Sequence, residues 1–103
     1  MELMKRYKIT WSSSFIQELK NICSYLAYDL GNYSSAQKFR NEIYDKIYSL
    51  EFYPERFTKL LFSKNVRKFY VGNCIVLYEV YRDYAKVDIL HIFHSKQNYF
   101  NLI

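Results

Sequence analysis

Glycine and proline are almost absent from this chain, with two copies and one copy in 103 residues. No Gly-rich loop is available to cradle a phosphate with backbone amides. No Pro/Gly/Ser-rich linker divides the chain, which reads as one domain over 1–103. Cysteine is as sparse. Cys23 and Cys74 form no CxxC and meet no histidine at metal-ligand spacing, so no metal and no cofactor is expected. Both fall in apolar segments, where the default is a buried free thiol. Free thiols suit a cytoplasmic setting. Also missing is any run near the ~20 apolar residues that span a bilayer. The opening MELMKRYKITW holds no apolar core of signal-peptide length.

Aromatic residues are abundant instead. Half of the residues are apolar and a fifth are aromatic, enough for one compact core and too much for a disordered chain. Twelve tyrosines are more than such a core can absorb, so some must sit at its edge or on a contact surface. The formal net charge of +5 draws the chain toward nucleic acid, the ribosome or an acidic protein. Charge of this size also serves plain solubility.

Periodicity supplies the elements. RYKITW (6–11) alternates and reads as a first strand. SSS (12–14) then offers N-cap hydroxyls. Phe15, Leu19, Ile22, Cys23, Leu26 and Leu30 follow at helical spacing, and Gly31 closes the helix. Ser34 with Gln37 has capping-box spacing for a second helix, whose stripe runs through Ala36, Phe39, Ile43, Ile47 and Leu50. It stops near Pro54, and a short turn makes the two helices an antiparallel hairpin. Strands are expected at 66–71, 74–81 and 86–93, with GN (72–73) as a tight turn. They form an antiparallel meander. The strand 74–81 is apolar on both parities at its centre (Ile75 and Leu77, Val76 and Tyr78), so both sheet faces should be partly covered. The order β-α-α-β-β-β is an α+β layer fold with a helical hairpin on a small antiparallel sheet.

This order resembles the RelE/ParE superfamily of toxins from type II toxin-antitoxin modules. The resemblance rests on YKITWS, on AQKFRNEIYDKIYSLEFYPERF, on VRKFYVGNCIVLYEV and on the closing VDILHIFHSKQNY, and covers almost the whole chain. It implies a growth-inhibiting toxin neutralised by a cognate antitoxin, expected to be acidic, with operator DNA reached only through that partner. Two activities occur in the superfamily. The ParE-like branch is implied to inhibit DNA gyrase by protein contact. The RelE-like branch resembles ribosome-dependent endoribonucleases that cut mRNA. A third reading is a degenerate member that only binds its antitoxin.

Metal-free RNA cleavage needs a proton acceptor, charge stabilisation and a proton donor. The resemblance offers Arg67, His94, Lys96 and Tyr99 for these tasks. Arg67 either braces a phosphate or is a solvent-facing strand residue; Lys68 has the opposite parity, so only one of the two can line a site. His94, where the last strand ends, is the better histidine; His91 lies within the apolar run and reads as a packing residue. Tyr99 would stack on a base or move a proton, and Lys96 would face phosphate. One departure weighs against this chemistry. RNase members carry an Arg three residues before the third-strand Tyr, and here Ile75 takes that place while Cys74 replaces the Tyr before it. Loss of such a contact costs on the order of 100-fold in rate. The ParE-like reading is therefore slightly ahead.

Overall fold

A computed structural model describes residues 5–63 and 65–94. The strand β1 (Lys8–Trp11) leads into helix α1 (Ser13–Ser24), which runs on through one π-helical turn (Tyr25–Asp29). Helix α2 (Tyr33–Ser49) follows, then strands β2 (Thr58–Lys59), β3 (Val66–Val71), β4 (Cys74–Tyr81) and β5 (Lys86–His94). The strands lie in the order β1-β5-β4-β3-β2. β3, β4 and β5 pair antiparallel, as the meander predicts; β2, which the pattern does not predict, adds antiparallel to β3, while β1 joins β5 in parallel with Lys8 opposite Lys86 and Trp11 opposite Ile89. The sheet is therefore mixed. Periodicity identifies β1 as a strand but does not say beside which strand it lies, and β2 is too short to leave a pattern.

One residue, Ser12, makes the turn from β1 into α1. Its N–H donates to the Ile89 carbonyl at 3.0 Å and its hydroxyl to the Leu90 carbonyl at 2.6 Å, while the same hydroxyl accepts from the Phe15 N–H at 3.0 Å. The N-cap and the strand edge are thus satisfied by a single side chain. The π turn closes with the Leu30 N–H donating to the Tyr25 carbonyl at 3.1 Å, and Gly31 takes φ +63° as the expected stop. That stop moves the next cap. Asn32, rather than Ser34, accepts from the Ser35 N–H at 3.2 Å, so α2 begins at Tyr33 and the Ser34/Gln37 box is not used.

The helices bury Phe15, Leu19, Ile43 and Ile47 against the face of the sheet that carries Phe69, Val76, Tyr78 and Ile89. Trp11 packs edge-on against Tyr44 and Tyr48 at ring separations of 5.6 and 6.1 Å, which ties β1 to α2. On the opposite face a second buried cluster holds Leu60, Val66, Ile75, Leu77 and Phe93. Both faces are apolar, as the double-parity pattern predicts. A bulge in β5 sets the register here: Leu77 pairs with His91 and Tyr78 with Ile89, leaving Leu90 as the extra residue.

Candidate functional site

Of the four residues singled out for RNA chemistry, the two that are described, Arg67 and His94, do not meet. Lys96 and Tyr99 lie outside the described residues. His94 is the exposed last residue of β5 and pairs with Cys74, at the start of β4. Arg67 pairs with Tyr78, further along β4, and lies two strands from β5. Four residues of strand separate those two rows, about 13 Å at ~3.3 Å per residue. Arg67 and His94 are therefore two strands and about 13 Å of strand length apart.

Arg67 is committed to the fold. Its side chain is only 13% exposed, so it is not the solvent-facing strand residue that its type suggests. It donates to the carbonyls of Glu55 and Phe57 at 3.1 and 2.8 Å and approaches the Glu55 carboxylate at 3.3 Å. Its neighbour Tyr78 is fully buried and donates to the Pro54 carbonyl at 2.7 Å. Burial pushes the Tyr78 hydroxyl up to about 12. Together Arg67 and Tyr78 fasten the segment after α2 onto the sheet. Glu55 completes the fastening by receiving Arg82, whose Nε donates to Oε1 at 2.8 Å and whose second nitrogen reaches Oε2. The Arg82 hydrogen bond holds the Glu55 carboxyl below its ordinary range.

On the opposite face, Ile75 is 3% exposed and sits inside the second apolar cluster, flanked across the strands by Tyr70 and Phe93. Hydrocarbon thus occupies the place where the RNase pattern carries a guanidinium. Lys68 shares this face and lies over the Tyr70 ring at 5.6 Å.

His91 is bound to a helix. Its Nδ1 lies 3.1 Å from Glu18 Oε2, and Glu18 Oε1 also accepts from the Ile92 N–H at 3.1 Å. β1 has ended at Trp11, so the α1 carboxylate serves the edge of β5 that β1 no longer covers. The His91 ring stacks on Phe93 at 5.2 Å. The sequence gives no local sign of Glu18, because its partner lies 73 residues away.

Both thiols are free, and burial raises their pKa; Cys74 is buried, whereas Cys23 is only half-buried. Among the described residues no group of three or more His, Cys, Asp or Glu could hold a metal ion. No helix among them is long and apolar enough to cross a membrane.

Solved structures share this architecture. The toxin-antitoxin complex RelBE2 of Mycobacterium tuberculosis matches with a TM-score of 0.66 at 15% identity, covering 94% of this chain and 100% of that one. The chromosomal ParDE system of P. aeruginosa matches with a TM-score of 0.74 at 15% identity, covering 89% and 99%. A mutant E. coli RelE toxin in the free state matches with a TM-score of 0.66 at 13% identity, covering 88% and 85%. Relatives named for ParDE and for RelBE thus have the same fold. No curated protein sequence matches the chain. The family described as the ParE toxin of the type II toxin-antitoxin system parDE matches residues 9–99. With that match over nearly all of its length, the chain belongs to the ParE toxin family of type II toxin-antitoxin systems.

Proposed function

We propose that this toxin inhibits bacterial growth from the cytoplasm by binding DNA gyrase, through protein contact and without chemistry of its own. The observation that carries this reading is Ile75, buried in an apolar cluster at the place where an RNA-cleaving relative needs an arginine. A phosphorane intermediate needs preorganised positive charge. Arg67 does not supply it there, because its guanidinium is held by the carbonyls of Glu55 and Phe57, two strands away from His94.

The partner that silences the toxin is a cognate antitoxin encoded beside it. Relatives of this fold have been solved as toxin-antitoxin complexes from M. tuberculosis and Pyrococcus horikoshii. A chain of formal charge +5 selects an acidic antitoxin. Operator DNA is reached through that antitoxin.

Purified toxin added to gyrase is expected to lower supercoiling and to accumulate gyrase-DNA cleavage complexes, while ribosome-bound mRNA stays intact. Unchanged gyrase together with new cuts in ribosome-bound mRNA would reverse the reading. The site would then be sought at His94, Lys96 and Tyr99, with loss of cutting in His94→Ala and Tyr99→Phe as its check.

A further inference from the structure

Three shallow grooves run together around the end of the sheet farthest from His94. The first lies between β1 and the end of α2, and shares Tyr7 with the second. The second, about 410 Å³, is walled by Phe52, Tyr53, Lys5 and Arg56 and shares Glu55 with the third. Arg82 and Lys59 line the third. Seven cations and two carboxylates line the three grooves, an excess of five. Both carboxylates are already paired, Glu51 with Arg6 and Glu55 with Arg82 and Arg67. Lys5, Lys8, Arg56 and Lys59 form no ion pair among the described residues, although Lys5 Nζ donates to the Arg82 carbonyl at 2.8 Å and keeps its remaining hydrogens for an anion.

Charge alone would fit any polyanion; the rings narrow the choice. Phe52 and Tyr53 are 43% and 57% exposed beside these cations. Lys5 lies over the buried Tyr7 ring at 5.4 Å and Arg56 over the half-buried Phe57 ring at 4.8 Å, so Phe52 and Tyr53 are the rings left open beside the charge. Cations interleaved with exposed aromatic faces are what a single nucleic-acid strand requires: phosphates follow the charge and unpaired bases stack on the rings. A duplex offers phosphates but hides its base faces. An acidic peptide offers carboxylates but few planar rings. We propose that this end of the toxin binds single-stranded nucleic acid, with Tyr53 and Phe52 as the stacking platform and Lys5, Arg56 and Lys59 as phosphate contacts. The surface is separate from His94 and does not depend on gyrase being the target.

Fluorescence anisotropy of the full chain with labelled oligo(dT), oligo(rU) and a duplex of equal charge tests the proposal. Both single strands are expected to bind, the tighter one naming the sugar, and the duplex to bind about tenfold more weakly. Tyr53→Ala should weaken single-strand binding about tenfold, within the range of one lost base stack, while Tyr53→Phe retains it. Arg56→Glu should weaken binding and flatten its salt dependence. Lys38→Glu, the same charge change on exposed α2, should have far less effect. Circular dichroism on each variant confirms an unchanged fold. The proposal is overturned if Tyr53→Ala binds like the wild type, if Lys38→Glu weakens binding as much as Arg56→Glu, or if polyglutamate displaces the strand as well as unlabelled oligonucleotide does.

Discussion

The Tyr78 hydroxyl lies wholly inside the protein and donates to the Pro54 carbonyl at 2.7 Å. Tyr78→Phe keeps the ring and leaves that buried carbonyl without its donor, which costs about 1–2 kcal/mol. Urea denaturation at neutral pH reads this directly. The same group gives stability a pH dependence of known sign. Its folded pKa of about 12 exceeds the ordinary 10, so its contribution is complete below pH 10 and is lost as pH rises toward 12. The slope approaches about 1.4 kcal/mol per pH unit in that window. Tyr78→Phe should flatten this alkaline loss relative to the wild type. None of this is visible in the sequence, where Tyr78 is one of twelve tyrosines and Pro54 lies 24 residues away. Arg67 makes the same point with a charge. Its residue type suggests solvent or phosphate, but its partners are backbone carbonyls, and main-chain acceptors leave no compositional mark.

Among the elements, the segment from Glu51 to Phe57 owes its place to side chains rather than to a ladder. Its N-terminal end is held by the Tyr7 N–H, which donates to the Glu51 carbonyl at 2.7 Å, and its middle by Arg67, Tyr78 and Arg82. Glu55 is the one carboxylate in that middle, with its side chain 33% exposed. Because its folded pKa is lowered from 4.5, its stabilisation is complete above that value and disappears as pH falls through the lowered one. Glu55→Gln should therefore be less stable than wild type at pH 7, by no more than about 1 kcal/mol for so exposed a pair. Thermal melts across an acid series should show the two proteins converging at low pH, and added salt should narrow the gap. Elements that rest on periodicity were legible in advance: both helices, the GN hairpin and the three-strand meander. The α2 cap was misplaced because three hydroxyl or amide side chains, Asn32, Ser34 and Ser35, compete within four residues. The positive φ of Gly31 decides in favour of the first.

For the whole molecule, charge and topology have separate consequences. A formal +5 spread over so small a body attracts an acidic protein before any contact is made, and the proposed antitoxin is of that kind. Stopped-flow association of the two should slow by about tenfold or more between low and high salt, with the dissociation rate changing much less. An association rate independent of salt would remove the acidic partner from the account.

The parallel pairing of β1 with β5 also has a consequence in time. Lys8 meets Lys86 and Trp11 meets Ile89, so the first strand finds its neighbour only across 78 residues of chain. Such high contact order slows closure. On a translating ribosome, which adds residues from the N-terminus onward, the helical hairpin can form early while the sheet that it must cover still lacks its edge. Until residue 89 has emerged, Ser12 has no Ile89 or Leu90 carbonyl to bind, and Glu18 has no strand to serve. The nascent toxin is thus an incomplete layer throughout most of its synthesis, and assembles its finished surfaces only as its last strand arrives.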